Sequence, residues 1–292
     1  SVGPRYNLSD GIQNVSDAFH AVDKKVIVIL NIAGVIETSS WRDMPDAILC
    51  AWQAGQEAGN SIMDIVSGKV NPSGKLTMTF PKSYDDTPAK KNFPGTPTQS
   101  ESDNNLNTAY TTEGILMEVP YEEDIYVGYR YYNTFEVPVS FEFGYGLSYT
   151  SFDYLNLEIE NPEFDGTLKF SAEIKNTGSV AGKEAVQFYV SAPGRDMDKP
   201  AMELVTFGKT RLLEPGESEI LNFQIDTKDI ASFDESSSSW VAEQGTYTLS
   251  VGASCIDIRH TAEFTLVKSL SAGEVSRSLL PEREIEKLYI RK

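Results

Sequence analysis

The carboxyl groups are the first residues of this chain that could do chemistry, since Asp and Glu make up 43 of its 292 residues. Two carboxyl groups about 5–5.5 Å apart can act as nucleophile and acid/base in retaining hydrolysis of a glycosidic bond. With so many acidic residues, spacing along the chain cannot select such a pair. Five of them stand near the motifs described below: Glu57, Glu113, Glu122, Glu123 and Asp124. Each is also explained as a solvated charge, a helix cap or half of an ion pair.

Residues 31–45 hold a second set of candidates, because they form a predicted loop directly after a predicted strand. Loops at the carboxyl ends of sheet strands are where α/β folds bind ligands. The ring of Trp41 could stack on a sugar, and the guanidinium of Arg42 could donate to its hydroxyl groups. Together with Glu57, these two are our candidate substrate-binding residues. The alternatives are an aromatic side chain packed at a domain interface for Trp41, and a carboxylate stabilised at a helix start for Glu57.

Other catalytic and ligand-binding patterns are not found in the sequence. His20 and His260 have no partners at metal-ligand spacing, so we expect no metal site. Ser148 has no Gly-x-Ser-x-Gly context, and the Gly-rich turn at residues 55–59 lacks the Gly-Lys-Ser/Thr ending of a phosphate loop. We therefore expect no cofactor, and no catalytic residue can be named from these patterns.

The net charge of −18 argues against a nucleic-acid partner, because phosphate binding needs patches of Lys and Arg. No apolar run is long enough to cross a bilayer. The length suggests about two domains. Cys50 and Cys255 fall in different predicted domains, so we expect no disulfide between them and interpret both as buried small apolar side chains.

Residues 1–120 have the pattern of an α/β domain. Helical spacing of apolar residues predicts helices over residues 8–22 and 59–68, and apolar runs predict buried strands over residues 26–30 and 47–52. Alternation over residues 76–80 predicts a third strand. Sheets usually have about five or six strands. The sheet is therefore expected to be incomplete, as though the chain begins within a domain, and to expose an apolar edge unless a partner segment covers it.

Two segments separate this domain from the rest of the chain. Residues 82–120 are a long polar insertion with several prolines, which we interpret as a surface loop or, alternatively, as the rim of a sugar site. Residues 121–152 are rich in Tyr and Phe. Because such rings concentrate where two surfaces pack together, we predict that this connector forms the seam between two domains.

The remaining sequence changes to short alternating stretches. Turn signals recur about every dozen residues over residues 153–268, which predicts an antiparallel β-sandwich. The tail, residues 269–292, differs from both domains. Pro281 could begin a short helix over residues 282–289 that either packs on the domain or frays.

Motifs in both halves point to one family. In the first half and the connector they are AILCAWQAGQEAG at residues 47–59, NPSGKLTMTFP at residues 71–81, DIYVGYRYY at residues 124–132 and FGYGLSY at residues 143–149. In the second half they are KNTG at 175–178, GKEAVQFY at 182–189, LLEPG at 212–216 and GTYTLSVG at 245–252. Together they resemble glycoside hydrolase family 3, of the β-glucosidase type, over about residues 8–267.

The resemblance implies a fold: the second half of an α/β sandwich domain, with a mostly parallel sheet and helices, followed by an all-β fibronectin-III-like sandwich. It also implies an activity, the retaining, exo-acting hydrolysis of terminal β-D-glucosyl residues. The family's nucleophile is an Asp in an N-terminal (β/α)8 barrel that has no counterpart here. Its acid/base Glu would fall just before the segment that starts near Asn7, and residues 1–6 contain no Glu.

The implied partners are a β-glucoside or oligosaccharide substrate and the barrel portion of the same enzyme, with self-association as a further expectation. This chain alone is then expected to be inactive. The alternative function is a non-catalytic β-sandwich module that binds carbohydrate or protein, in which the aromatic connector would be an exposed platform.

Overall fold

The computed structural model describes residues 8–97, 117–278 and 283–290. Its first half and connector contain α1 (Leu8–His20), β1 (Ile27–Leu30), β2 (Ala47–Cys50), α2 (Ala58–Val66), β3 (Phe80–Pro81), β4 (Thr96–Pro97), β5 (Met117–Glu118), α3 (Tyr129–Thr134) and β6 (Val139–Phe141). Strands β1 and β2 pair in parallel, with Ile27 opposite Ala47. The two predicted helices and the first two predicted strands are therefore present, although β2 ends before Trp52. The predicted burial of these strands is wrong: Ile27 and Ile29 of β1 are 44% and 42% exposed, and Leu30 is the one buried residue of the pair, since the described chain leaves one face of β1 uncovered.

The third predicted strand, over residues 76–80, is wrong. Only its end is extended, and β3 pairs antiparallel with β6 of the connector rather than with β1 or β2. Leu76 exchanges backbone hydrogen bonds with the same segment, donating to the carbonyl of Tyr145 at 2.8 Å and accepting from Gly144 at 2.7 Å. The two ends of this segment thus pair with the connector, more than 60 residues away along the chain, whereas Met78 between them is 46% exposed.

The second half is a β-sandwich, as predicted, and it carries a small additional sheet that was not predicted. Its strands are β7 (Phe152–Ile159), β8 (Thr167–Asn176), β9 (Ala185–Ser191), β10 (Glu203–Lys209), β11 (Ser218–Asp226), β12 (Ser232–Asp234), β13 (Ser239–Ala242), β14 (Gly245–Gly252), β15 (Ile258–Leu266) and β16 (Leu270–Glu274). One sheet of the sandwich has the strand order β10-β9-β14-β15, and it faces a second sheet with the order β11-β8-β7. A third, small sheet has the order β12-β13-β16. Every pair within these three sheets is antiparallel.

The core of the sandwich follows from period-two alternation. Along β8 the side chains of Leu168, Phe170, Ala172 and Ile174 are buried, and the intervening residues are more exposed. The ring of Phe188 on the opposite sheet lies 5.1 Å from the ring of Phe170. Burying such rings is the main favourable term that holds two sheets face to face.

The aromatic connector packs between the two halves. Tyr126 is fully buried, and its hydroxyl donates to Asp198 Oδ2 of the sandwich at 2.6 Å. The ring of Tyr129 stacks on Phe143 at 4.7 Å, and its hydroxyl accepts from the backbone N–H of Leu204 at 2.7 Å. Burial, together with Asp198, raises the pKa of Tyr126, so its hydroxyl stays protonated and keeps donating.

The tail packs on the chain but contains no helix in its described part. Residues 270–274 form β16, which pairs with β13, and residues 283–290 are irregular, so the predicted helix is wrong there. The N–H of Leu288 donates to the carbonyl of Glu122 at 2.7 Å, and Lys287 Nζ lies 3.1 Å from Asp124 Oδ2. Contacts with the connector replace the local hydrogen bonds of a helix.

The two cysteines are not joined to each other, as predicted. Cys255 is buried and Cys50 is half-buried. Burial raises the pKa of the Cys255 thiol to about 11, so this thiol is neutral at physiological pH. Within the part of the chain that the structure describes, no helix combines the length and the apolar character needed to span a membrane.

Candidate functional site

The segments that carry the candidate residues both leave the carboxyl edge of the parallel pair β1–β2. The chain leaves β1 into residues 31–45 and leaves β2 into residues 51–57, so both loops begin at one edge of the sheet. The N–H of Ala51 donates to the carbonyl of Leu30 at 2.9 Å, which holds the two loop starts together. This is the position at which α/β folds place ligands.

Trp41 does not present its ring to this edge. Only 1% of its surface is exposed, and its Nε1–H donates to the carbonyl of Glu37 at 2.9 Å. The expectation that Trp41 stacks on a sugar does not fit this burial, because a stacking face must be open to the ligand. The alternative of a packed aromatic side chain fits better, although the ring packs within this chain rather than against another domain. Trp41 stabilises the loop that carries Arg42.

Arg42 is held against the connector by two contacts. Its guanidinium carbon lies 4.2 Å from the centre of the Phe141 ring, and one terminal nitrogen donates to the carbonyl of Ser140. The hydroxyls of Thr38 and Ser140 are 2.7 Å apart and tie the same loop to β6. About a third of the Arg42 side chain stays exposed, at 33%. Its Nε also lies 3.5 Å from Asp43 Oδ1. The exposed part of an anchored guanidinium is suited to hydrogen-bonding hydroxyl groups.

Trp52 is a residue that sequence reasoning missed as a site candidate. Its backbone has a φ of 50°, in the left-handed region, two residues after the end of β2. A bulky residue adopts this conformation rarely, and such strain clusters at functional sites. Its half-buried ring lies 6.0 Å from the ring of Phe80, so the packing of β3 on the connector supports it. No local pattern in the sequence indicates this conformation, because Trp favours extended backbone.

Glu57 stands at the start of α2 and is exposed. Its Oε2 accepts from Asn60 Nδ2 at 2.6 Å, and its side chain caps no backbone N–H of the helix. No hydrogen bond or ion pair joins Glu57 to Arg42 in the part of the chain that the structure describes. The assignment of Glu57 and Arg42 to a substrate site stays a prediction.

The other acidic candidates belong to the connector. Asp124 has a φ of 49° and pairs with Lys287, and the carbonyl of Glu122 accepts from the tail. The buried Oε2 of Glu123 has no hydrogen-bond partner among the described residues. Glu113 lies outside them. In the part of the chain that the structure describes, no three His, Cys, Asp or Glu side chains cluster closely enough to hold a metal ion.

Family models match both halves of the chain. The model of the glycosyl hydrolase family 3 C-terminal domain matches residues 4–149, and the model of the fibronectin type III-like domain matches residues 184–255. The chain belongs to glycosyl hydrolase family 3. Its two halves are therefore the C-terminal α/β domain of that family and the β-sandwich that follows it, as the motifs predicted.

Curated relatives of this family 3 chain are β-glucosidases. β-Glucosidase B of Emericella nidulans is 38% identical over 242 residues, which cover 82% of this chain and 27% of the relative. The β-glucosidase of Ruminococcus albus is 34% identical over 287 residues, which cover 94% of this chain and 28% of the relative. The chain thus spans less than a third of the length of these two relatives.

Solved structures agree with this assignment. β-Glucosidase 3B from Thermotoga neapolitana, in complex with glucose, is 46% identical with a TM-score of 0.79, and the match covers 90% of this chain and 34% of that one. A β-glucosidase from Paenibacillus barengoltzii is 33% identical with a TM-score of 0.78, and the match covers 95% of this chain and 30% of that one. Both halves of the family 3 chain are therefore folded as in intact β-glucosidases.

Proposed function

We propose that this chain is the C-terminal part of an exo-acting β-glucosidase that hydrolyses terminal β-D-glucosyl residues with retention. The nucleophilic Asp and the acid/base Glu belong to sequence N-terminal to it, including a (β/α)8 barrel. In that assembly the chain forms one wall of the substrate site and braces it. Alone, the chain does not turn over substrate.

The observation that carries this proposal is the match to β-glucosidase 3B of Thermotoga neapolitana. It extends over 90% of this chain at 46% identity and occupies only 34% of that glucose-bound structure. An independent observation is the apolar surface of α1 and β1. Phe19, Val22 and Ile29 are 49%, 64% and 42% exposed. Phe19 lies on α1, Val22 follows its end and Ile29 lies on β1. Large apolar side chains exposed on successive segments favour burial by another protein segment, and the N-terminal portion is the occupant that we propose.

The wall of the substrate site is proposed to be the carboxyl edge of β1–β2. Arg42 would donate to sugar hydroxyls from its anchored position on Phe141, and Glu57 would accept from them. Trp52 joins this set because its strained backbone lies at the start of the second loop, residues 51–57. Trp41 acts through Arg42, by keeping residues 31–45 in place.

The alternative of a non-catalytic binding module is less favoured by the connector. That function needs the aromatic connector as an exposed platform. In the structure Tyr126 is fully buried and Tyr132 is 6% exposed, so these rings serve as packing.

Hydrolysis of a nitrophenyl β-glucoside tests the proposal. The chain alone should release no nitrophenol, and a protein that also contains the encoded residues before Ser1 should release it with retained configuration in the first-formed sugar. Turnover by residues 1–292 alone contradicts the placement of the catalytic residues. No turnover by the longer, folded protein contradicts the enzymatic function itself.

A further inference from the structure

A cavity of about 380 Å3 opens at the junction of the connector and the β-sandwich. This volume falls in the range of about 300–1,000 Å3 that is typical of small-molecule sites, and such sites favour domain junctions. The wall comes from α3 and the residues that follow it, from Ala201 and Met202 ahead of β10, and from Cys255 and Ile256 after β14. It is separate from the carboxyl edge of β1–β2, because none of the candidate residues there lines it.

The wall combines apolar side chains with carboxylates. The apolar members include Val137, Pro138, Val139, Met202 and Ile256. The charged members are Glu136 and Glu142, and no Lys, Arg or His of the described chain contributes to the wall. Negative charge without a compensating cation, set beside apolar surface, favours a ligand that brings both a positive charge and an apolar body.

Hydrogen bonds fix the wall around Glu142. Glu142 Oε1 accepts from Ser254 Oγ at 2.9 Å, which fixes this half-buried carboxylate at the wall. Asn133 Nδ2 donates to the carbonyl of Cys255 at 3.2 Å and joins α3 to the opposite side of the cavity. A ligand would therefore meet a preorganised wall, which lowers the entropic cost of binding.

One further feature of the wall points to a ligand. Thr79 lines the cavity and is only 9% exposed, yet its hydroxyl oxygen has no hydrogen-bond partner among the described residues. Buried polar atoms in folded proteins are normally partnered by protein, water or ligand.

We propose that this cavity binds a small organic cation, namely a protonated amine carried on an apolar body. The ammonium group pairs with Glu142 and Glu136, and the body packs on Val139, Met202 and Ile256. The site does not depend on glycoside hydrolysis, so it stands or fails separately from the proposed function.

Isothermal titration calorimetry with benzylammonium tests the charge preference, with benzyl alcohol as the neutral probe of nearly equal shape. The protein should be expressed with the residues encoded before Ser1, so that every natural neighbour of the cavity is present. We expect benzylammonium to bind and benzyl alcohol to bind at least about tenfold more weakly, because a charge-assisted hydrogen bond is lost. Equal affinity for both probes overturns the proposal.

Charge-removing variants locate the site. Glu142→Gln and Glu136→Gln should each weaken benzylammonium binding about tenfold and leave benzyl alcohol binding unchanged. Glu263→Gln, at an exposed position of β15, is the matched control and should change neither. Circular dichroism confirms folding of each variant. Because Glu136 is exposed, its variant stays informative if Glu142→Gln does not fold. Weakening by Glu263→Gln to the same extent overturns the proposal.

The chemical shift of the Met202 methyl group reports binding inside the cavity, and nonspecific binding of a cation to the acidic surface would not change it. With 13C-methyl methionine, assigned by Met202→Leu, this resonance should shift on addition of benzylammonium, and its shift should saturate with the calorimetric affinity. No shift at saturation overturns the site. Binding of a lysine-containing peptide in the absence of benzylammonium binding would instead identify a contact for a basic side chain of another polypeptide, and would also overturn the small-molecule proposal.

Discussion

Lys75 and Glu184 form an ion pair between the first half of the chain and the β-sandwich, with Lys75 Nζ 3.1 Å from Glu184 Oε1. Only 13% and 7% of the two side chains are exposed. Lys75 Nζ also donates to the carbonyl of Gly146 at 3.0 Å, and the hydroxyl of Tyr154 donates to the same Glu184 oxygen at 3.0 Å. Because either charge alone would be buried without an opposite charge, the pair favours the relative position of the two halves that keeps both together.

Replacing Lys75 tests this pair. We expect Lys75→Met to lower the free energy of unfolding by about 3 kcal/mol, since it leaves the Glu184 carboxylate buried and unpaired. Lys69→Met is the matched control: its partner Asp64 lies 2.9 Å away, but the two side chains are 71% and 35% exposed, so the loss should be about 1 kcal/mol or less. Urea unfolding measures both. Equal losses of unfolding free energy in the two variants would show that the buried pair stabilises the protein no more than the exposed one.

Asp46 makes the stability of the first half dependent on acid. Its carboxylate accepts from Lys25 Nζ at 2.8 Å and from the N–H of Val26 at 2.8 Å, and it lies 2.9 Å from His20 Nε2. These hydrogen bonds, that of Lys25 first, hold the pKa of Asp46 well below its ordinary value. The folded-state pKa is depressed, so the stabilisation is present above the unfolded pKa of about 3.9 and is lost as pH falls below it.

The melting temperature as a function of pH measures this effect. At pH 7 the Asp46→Asn variant should melt below the wild type, and the difference should shrink as the pH falls below about 4. Asp17→Asn, on α1, should follow the wild type at every pH. A difference between Asp46→Asn and wild type that stays constant down to low pH would mean that the carboxylate charge is not the cause.

Gly144 permits a close approach between the connector and the sandwich. It has a φ of 83°, and a Cβ atom there would collide with the side-chain oxygen of Gln187. Gln187 in turn donates to the carbonyls of Gly144 at 3.2 Å and Ala253 at 2.7 Å. We expect Gly144→Ala to cost about 2 kcal/mol through backbone strain and a displaced Gln187.

Gly11→Ala is the control for Gly144→Ala, because Gly11 lies within α1 with no atom near its Cβ position. It should raise the free energy of unfolding by about 0.5–1 kcal/mol. Opposite signs in urea unfolding support the close approach. A stabilising Gly144→Ala would show that Gln187 moves away without loss.

Arg42 and Glu57 are tested by kinetics of the enzyme that includes the encoded residues before Ser1. If both contact the sugar, Arg42→Gln and Glu57→Gln should raise KM about tenfold and change kcat less, because they remove binding rather than the reacting groups. Arg211→Gln, at an exposed ion pair of the sandwich, is the control. An unchanged KM in both folded site variants would show that the carboxyl edge of β1–β2 is not part of the substrate site.

The exposed side of α1 and β1 should govern association. We expect Phe19→Ser to weaken binding of a separately expressed N-terminal portion, or self-association of this chain in its absence. Leu212→Ser, at a side chain of similar exposure on the sandwich, is the control, since Phe19 and Leu212 are 49% and 50% exposed. Analytical ultracentrifugation measures both. A monodisperse monomer that binds no N-terminal portion would contradict the partner proposal.

Elements with local signals were predictable. α1 and α2 follow from apolar residues at helical spacing, and Gly68, just after the C-cap of the second helix, has a φ of 76°, in the left-handed region that favours glycine. Alternation along β8 predicted which side chains are buried. These features depend on neighbours three or four residues away in a helix, or two residues away in a strand, and the sequence displays those directly.

Elements that depend on distant partners were not predictable. The segment before Pro81 alternates like a strand of the parallel sheet, but its partner is β6 of the connector. The tail after Pro281 has residues spaced for a helix, but the backbone of Leu288 pairs with Glu122 instead. Local propensity is a weak preference, and a long-range backbone hydrogen bond in a packed seam overrides it.

The amino-acid sequence by itself determined the family, the change from α/β to all-β structure, and the presence of Trp41 and Arg42 in a loop after the first strand. Only the tertiary structure decided that the ring of Trp41 is buried while Arg42 remains a third exposed on Phe141. The physical reason is that accessibility is set by the residues packed around a side chain. For this loop those residues include Ser140 and Phe141, nearly one hundred positions further along the chain.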